Sequence, residues 1–160
     1  MPVHETIRVD LPDRGYDVTV GTDLLASAGG TIADLARSRR VVVVTDTDVG
    51  PLHGWTVLDG LRAAGMTADL VDFPAGEAHK TLDTYADLMR RVLSLDEPID
   101  RASTVVAVGG GVVGDVAGFV AATALRGVDF VNVPTTLLAD VDASVGGKTG
   151  VDAPTGKNLV

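Results

Sequence analysis

An α/β fold with a largely parallel sheet and helices on both of its faces is predicted by three features of the sequence. First, 46% of the 160 residues are hydrophobic and 22% are charged, which is typical of a chain that buries one core. Second, short β-branched runs alternate with helical patterns at the spacing of right-handed strand–helix–strand units. Third, the 19 glycines occur in small clusters between apolar runs, without a regular period. We therefore expect one Rossmann-like domain, with ligand-binding loops at the glycine clusters.

The strands and helices follow from hydrophobic periodicity. β-branched runs predict six strands, at residues 6–9, 17–20, 40–44, 68–72, 104–108 and 129–133. Amphipathic or apolar patterns predict four helices, at residues 23–35, 57–64, 81–93 and 112–125. The turn-forming residues 12–15 join the first two strands, which predicts an N-terminal hairpin at the sheet edge. The last helix is apolar nearly all round, so we expect it to be buried.

Charge and cysteine content exclude several classes of partner. The chain carries 22 acidic and 13 basic side chains, a net charge of −9, which disfavours nucleic acid or an anionic membrane. The absence of cysteine excludes disulfides and thiolate metal sites, and His4, His53 and His79 lack metal-ligand spacing. No secretory signal precedes the first strand, and Asp115 argues against a membrane span at residues 104–125. A cytoplasmic protein is expected.

Asp46 directly follows one predicted strand, and ligands bind at the carboxyl ends of strands in an open parallel sheet. A carboxylate at this position can accept hydrogen bonds from both ribose hydroxyls of a nucleotide. It can equally cap the following turn by accepting backbone N–H groups. Both interpretations of Asp46 stay open on the sequence.

Residues 109–114 read Gly-Gly-Gly-Val-Val-Gly, between a predicted strand and a predicted helix. This G-x-G-x-x-G spacing places backbone N–H groups and a helix N-terminus where a pyrophosphate can bind. The motif departs from the dinucleotide fingerprint, because Asp129, the acidic residue about 20 positions later, begins the next strand instead of following it. We expect a non-standard cofactor loop in preference to a simple tight turn.

A second glycine cluster, at residues 146–150, imitates a nucleotide-triphosphate loop. Gly147, Lys148 and Thr149 match the end of G-x-x-x-x-G-K-T, but Asp142 stands where the first glycine belongs. No predicted strand runs into this loop. A nucleoside triphosphatase is therefore excluded.

Lysine is used sparingly: ten of the 13 basic side chains are Arg, and only Lys80, Lys148 and Lys157 are Lys. Each lysine lies within four residues of a glycine. A compact ammonium on a flexible stem suits a phosphate, a carboxylate or a sugar hydroxyl in a tight site better than the planar Arg fork does. We therefore expect the three lysines to contact ligand.

Five motifs, taken in order, resemble the 3-dehydroquinate synthases of the sugar phosphate cyclase family. They are residues 74–80 (PAGEAHK), 109–115 (GGGVVGD), 133–138 (VPTTLL), 141–150 (VDASVGGKTG) and 156–158 (GKN). The family's proteins are about twice as long, so the resemblance implies that residues 1–160 form an N-terminal NAD-binding domain. It also implies the shikimate pathway and, at full length, a homodimer.

The resemblance implies a set of site residues. Those expected to line the NAD site are Asp46, Ala75, Gly76, Glu77, Ala78, His79, Lys80, Gly110, Gly111, Val112, Val113, Gly114, Asp115, Thr135, Thr136, Lys148 and Lys157. Asp142, Lys148 and Asn158 are expected to face the substrate, 3-deoxy-arabino-heptulosonate 7-phosphate. In the family's reaction, bound NAD oxidises a ring alcohol and phosphate is eliminated. The hydride then returns, and the ring opens and recloses as a carbocycle.

The family's divalent metal, zinc or cobalt, is held by a Glu and two His in the C-terminal half. This chain contains none of those ligands, so the resemblance implies that it does not turn over substrate alone. Its apolar stretch at residues 104–125 is expected to pack on that other half.

Three alternatives remain. A sister cyclase making an inosose or a valiolone would differ mainly at substrate contacts. A metal-dependent polyol or alcohol dehydrogenase shares the architecture but would release NADH. The third is a nucleotide-binding fragment without catalysis.

Overall fold

The structure, a computed structural model, describes residues 4–12 and 15–160. Across them the chain forms the strands β1 (His4–Val9), β2 (Tyr16–Gly21), β3 (Arg40–Asp46), β4 (Thr67–Phe73), β5 (Thr104–Gly109) and β6 (Asp129–Pro134). The α-helices are α1 (Leu25–Leu35), α2 (Trp55–Ala63), α3 (Leu82–Leu93) and α4 (Gly111–Thr123). Short 3₁₀ turns cover Glu77–His79 and Ala124–Arg126, and π-helical turns cover Gly50–Gly54 and Ala139–Ala143. Each predicted strand and helix is present.

Four of the strands form one parallel sheet in the order β4-β3-β5-β6. The chain passes from β3 through α2 to β4 on one side, and then from β4 through α3 to β5 on the other side of β3. The connection that leaves β3 and the connection that leaves β5 therefore run toward opposite edges of the sheet. In open α/β sheets such a switch point leaves a crevice at the carboxyl ends of the strands, where ligands bind.

The core lies on both faces of this sheet, as predicted. Every residue of β3 is buried, because β3 lies between β4 and β5 and both of its faces are covered. The side chains of its four consecutive valines alternate between the two faces. On one face Val42 and Val44 pack with α3 and α4, and on the other Val41 and Val43 pack with α1 and α2. The sheet is thereby fixed between two helical layers.

The N-terminal hairpin differs from the prediction in its position. Strands β1 and β2 pair antiparallel over six residues each, but they form a separate two-stranded sheet and do not extend the edge of the four-stranded one. The residues of β1 and β2 are mostly exposed. Neither strand therefore has the row of buried side chains that a strand paired beside β4 or β6 would place against the core. Asp13 and Arg14 of the predicted turn lie outside the described residues.

Helix α4 is buried, but it ends two residues before the predicted boundary. The Thr123 hydroxyl donates to the Phe119 carbonyl oxygen at 2.7 Å, and Leu125 adopts φ 51°, so the chain leaves the helix. The expectation that residues 104–125 pack on a further domain is wrong for most of the stretch. Strand β5 is entirely buried, and α4 packs its apolar residues against this chain's own core. No helix among the described residues is long and apolar enough to cross a membrane.

Candidate functional site

The switch point between β3 and β5 brings Asp46 to the edge of the crevice. Its Oδ1 accepts hydrogen bonds from the backbone N–H of Asp48 at 3.0 Å and of Val49 at 2.8 Å. Of the two interpretations that the sequence left open, the structure therefore contains the turn cap. The Asp46 residue is only 9% exposed.

The glycine run fills the joint between β5 and α4. A Cβ atom on Gly109 would lie 2.5 Å from the Val113 side chain, so any side chain at this position would require Val113 to move. Helix α4 begins at Gly111, with Gly110 as its N-cap. Val113 is buried in the core and Val112 is partly buried beside it. The free N–H groups of the first turn thus lie at the crevice.

A shallow pocket borders this helix start. Its walls come from β5, the first turn of α4, β6 and the turn after it, through Gly109, Gly110, Gly111, Gly114, Asn132, Pro134, Ala139, Ala143 and Ser144. A Cβ atom on Gly110 would lie 3.3 Å from Thr136, and one on Gly114 would lie 3.3 Å from the Asn132 amide oxygen. The pocket exists because glycine stands at these positions.

The two threonines that follow β6 differ in their hydrogen bonding. The Thr136 hydroxyl accepts the Ala139 N–H at 3.2 Å. The Thr135 N–H donates to the Gly109 carbonyl at 3.0 Å, while its hydroxyl oxygen is buried without a hydrogen-bond partner. A buried hydroxyl without a partner is costly, so Thr135 is suited to contact a ligand.

Lys80 is buried, at 4% exposure, and connects three segments of the chain. Its ammonium contacts the Asp115 carboxylate on α4 and donates to the Asn158 Oδ1 at 2.5 Å. The Lys80 carbonyl also accepts the Asp152 N–H at 2.9 Å, and the Asp152 carboxylate accepts the Asn158 N–H at 2.8 Å. Of the residues expected in the site, Lys80 thus contacts two others, Asp115 and Asn158.

The turn at residues 75–79 is joined both to Thr47, which follows β3, and to Lys157 near the end of the chain. The Ala75 N–H donates to the Thr47 hydroxyl at 3.1 Å, and Gly76 takes a positive φ of 107°. Lys157 Nζ donates to Glu77 Oε1 at 2.8 Å. This hydrogen bond, followed by the charge of Glu77, raises the pKa of Lys157. Ala78 and His79 complete the turn and form no metal cluster.

Lys148 and Asp142 stand apart from these contacts. Both are exposed, and within residues 4–12 and 15–160 the Lys148 ammonium makes no hydrogen bond or ion pair. Asp142 belongs to the π-helical turn Ala139–Ala143. Lys148 is therefore the lysine of the three that is free to bind an anion.

Sequence reasoning missed Asn132 and Tyr16. Asn132 lines the pocket from β6, and a polar residue inside an otherwise apolar strand was the available signal. The Tyr16 hydroxyl accepts the Gly146 N–H at 2.9 Å, 130 residues away along the chain. No local pattern indicates that contact.

No group of three or more His, Cys, Asp or Glu side chains that could hold a metal occurs in the described part of the chain. The first turn of α4 leaves free backbone N–H groups, and Thr135 and Thr136 bring hydroxyls to the same end of the sheet. Backbone N–H groups at a helix start are donors that bind phosphate oxygens. The fold and this site together define an α/β domain with a glycine-lined pocket at the carboxyl end of β5, next to the topological switch point.

A family model described as 3-dehydroquinate synthase N-terminal matches residues 70–160, more than half of the chain. The chain belongs to this family, and the resemblance seen in the sequence is confirmed. A 3-dehydroquinate synthase of Caulobacter vibrioides is 51% identical over 156 residues, which are 97% of this chain and 42% of that protein. The chain thus spans about two fifths of the length of such relatives.

Two solved cyclase structures share the fold closely. A 2-deoxy-scyllo-inosose synthase complexed with carbaglucose-6-phosphate, NAD⁺ and Co²⁺ is 30% identical with a TM-score of 0.86, covering 98% of this chain and 42% of that one. The 2-epi-5-epi-valiolone synthase of Streptomyces hygroscopicus, with NAD⁺ and Zn²⁺ bound, is 32% identical with a TM-score of 0.78, covering 95% and 41%. Dehydrogenases at 18–22% identity share the fold alone.

Proposed function

We propose that the protein is a 3-dehydroquinate synthase and that this chain is its NAD-binding part. The reaction converts 3-deoxy-arabino-heptulosonate 7-phosphate into 3-dehydroquinate and phosphate, a lyase step of the shikimate pathway that leads to chorismate and the aromatic amino acids. The observation that carries the proposal is the glycine-lined start of α4 at the switch point. Family membership then selects the reaction.

The crevice fits a dinucleotide on two counts. Side chains at Gly110 and Gly114 would narrow the pocket that their absence opens, and a pyrophosphate can lie there against the N–H groups of the first turn of α4. The buried Thr135 hydroxyl lacks a partner, and a ligand oxygen would supply one. Asp46, the turn at residues 75–79 and Lys157 border the same sheet edge and would hold the rest of the dinucleotide.

Bound NAD would supply the acceptor for a hydride from a ring alcohol of the substrate and the donor for its return. This chain's contribution is to bind and orient the substrate for that exchange. The free ammonium of Lys148 binds its phosphate or carboxylate. The Asp142 carboxylate accepts hydrogen bonds from sugar hydroxyls, and the Asn158 amide N–H groups donate to sugar oxygens, since its Oδ1 already accepts from Lys80. The charges of Lys80 and Asp115 neutralise each other, so Lys80 holds Asn158 in place without adding net charge.

The divalent metal of the related cyclases does not fit the residues of this chain. The described part of the chain offers no cluster of three or more metal-ligating side chains. Metal-dependent turnover, and the homodimer common in the family, would need the part of the relatives that this chain does not span. We propose that the 160-residue chain alone is inactive.

The test is phosphate release from 3-deoxy-arabino-heptulosonate 7-phosphate with NAD and zinc or cobalt present. It compares the protein expressed from its complete reading frame with the 160-residue chain. We expect NAD-dependent release by the former and none by the latter. A complete protein that binds NAD but releases no phosphate from this substrate would contradict the proposed reaction.

A sister cyclase acting on another sugar phosphate is the second candidate, favoured by the close fold of the inosose and valiolone synthases. The identity of 51% to a 3-dehydroquinate synthase, against 30% and 32% to those two, ranks it second. Measuring NADH absorbance during turnover distinguishes a 3-dehydroquinate synthase or a sister cyclase from a dehydrogenase. A cyclase recycles NAD and accumulates no NADH at steady state, whereas a dehydrogenase accumulates it.

A further inference from the structure

The N-terminal hairpin reaches the glycine loop that carries Lys148. Tyr16, the first residue of β2, lies opposite Val9 in the hairpin and is half-buried. Its hydroxyl oxygen accepts a hydrogen bond from the Gly146 N–H at 2.9 Å. The hairpin forms its own sheet, so this contact is a specific link between the hairpin and the loop.

The loop has few other supports. Gly146 takes a positive φ of 103°, and no atom lies within 4 Å of a Cβ built on Gly146 or Gly147. Within the part of the chain that the structure describes, residues 146–149 make no hydrogen bond except the one to Tyr16. Beyond them, the Gly150 N–H donates to the Asp115 carbonyl at 3.3 Å. Tyr16 therefore fixes the loop on one side of Lys148 and α4 fixes it on the other.

We propose that Tyr16 is a positioning residue that holds the loop at residues 146–148 so that the Lys148 ammonium meets the substrate's anionic group. The inference rests on the proposed function, because it takes Lys148 as the anion-binding side chain. It also explains why an exposed hairpin outside the main sheet bears on the site. A flexible lysine on a loop without fixed neighbours would lose rotamer and backbone freedom on binding, and the Tyr16 contact removes part of that cost in advance.

The first test is Tyr16→Phe, which removes only the phenolic oxygen, made in the protein expressed from its complete reading frame. Tyr85→Phe is the matched control, because the Tyr85 hydroxyl shares a 3.0 Å hydrogen bond with Thr123 outside the candidate site. We expect Tyr16→Phe to lower kcat/KM for the sugar phosphate about three- to tenfold, the range of one hydrogen bond, and Tyr85→Phe to leave it unchanged. Equal effects of the two variants would overturn the inference.

The second test is a double-mutant cycle with Lys148→Gln. If Tyr16 acts through Lys148, then Tyr16→Phe has no further effect on kcat/KM in the Lys148→Gln protein. Full, multiplicative losses in the double variant would overturn the inference while leaving the proposed function intact. An unaffected Lys148→Gln variant would instead contradict the role of Lys148 in the proposed function.

A measurement that does not depend on activity separates failure of the Tyr16 inference from failure of the proposed function. Amide hydrogen exchange at Gly146, whose N–H is the donor to Tyr16, should become faster in Tyr16→Phe and stay unchanged in Tyr85→Phe. Unchanged exchange at Gly146 in Tyr16→Phe would overturn the positioning contact whatever the substrate is.

Discussion

Two regions border the same pocket and are held in opposite ways. The first, β5 with α4, has a strand buried at every residue and a helix whose apolar side chains are packed into the core. The second, residues 137–148, exposes Leu137 to 78%, Leu138 to 71% and Val141 to 69%. One wall of the candidate site is therefore part of the core, while the other lies on the surface.

The difference shows which part of the site packing determines. The β5–α4 joint has its shape because Gly109 lies against Val113, and a change there disturbs the core. The second region is held by single contacts such as the Thr136 cap and the Tyr16 hydrogen bond. Substitutions in the packed interior of the first region should consequently lower stability, while those in the second region should leave it nearly unchanged.

The largest expected effect is at Lys80, which joins α4 of the first region to Asn158. Lys80→Met leaves Asp115 without its partner in a mostly buried setting. We expect the free energy of unfolding to fall by about 3 kcal/mol, toward the low end for broken buried pairs, because the Asp115 side chain is still 23% exposed. Denaturant unfolding measures it.

Lys157→Met is the control for Lys80→Met. It removes the other lysine ion pair, whose Lys157 and Glu77 side chains are 69% and 48% exposed, so its unfolding midpoint should stay close to that of the unsubstituted chain. Equal losses in Lys80→Met and Lys157→Met would contradict the comparison.

Gly109→Ala should have the next largest effect. The added Cβ would lie 2.5 Å from Val113, so β5 and α4 must separate, at a cost of about 2 kcal/mol. Gly30→Ala in α1 is the control, since no atom lies within 4 Å of its Cβ. Because alanine favours helix, Gly30→Ala should raise the free energy of unfolding by about 0.5–1 kcal/mol. A neutral Gly109→Ala would mean that the joint is not tightly packed.

Leu138→Ser in the second region should change the free energy of unfolding by no more than about 0.5 kcal/mol relative to the unsubstituted chain, as surface substitutions usually do. The reason is that Leu138 is 71% exposed. The same replacement at Leu88 of α3, which is fully buried, should unfold the chain at much lower denaturant. A large loss at Leu138 would show that residues 137–148 belong to the core after all.

The smallest expected effect concerns the pKa of Lys157, which Glu77 raises above the ordinary value of 10.5. A raised pKa in the folded state gives stability that is present below pH 10.5 and is lost as the pH rises through the folded value. NMR titration of the Lys157 side chain should therefore show a lower pKa in Glu77→Gln than in the unsubstituted chain. An identical titration in both proteins would contradict the ion pair.

The same contrast explains how much the sequence could predict. The valine run of β3 and the glycine run before α4 are local patterns, and both predicted elements are present close to their expected places. Thr81 caps α3 by accepting the Thr84 N–H at 3.2 Å, at the predicted start.

Long-range contacts were beyond any local pattern. Lys80 meets Asp115 and Asn158 across 35 and 78 residues of sequence, and Tyr16 meets Gly146 across 130. The sequence indicated that Lys80, Asp115 and Asn158 belong to a site, through the family resemblance, but not that two of them form an ion pair. The separate hairpin sheet was missed for the same reason, because its position depends on what the rest of the fold leaves exposed.

The most direct test of the central claim, that the start of α4 holds NAD, is calorimetric titration of NAD into the protein and its Gly110→Val variant. Valine would fill the space beside Thr136, where a Cβ on Gly110 already lies at 3.3 Å. We expect Gly110→Val to weaken NAD binding at least tenfold, because the pyrophosphate loses its approach to the helix N-terminus. Gly30→Ala should bind NAD normally. Unchanged affinity in a folded Gly110→Val protein would contradict the claim.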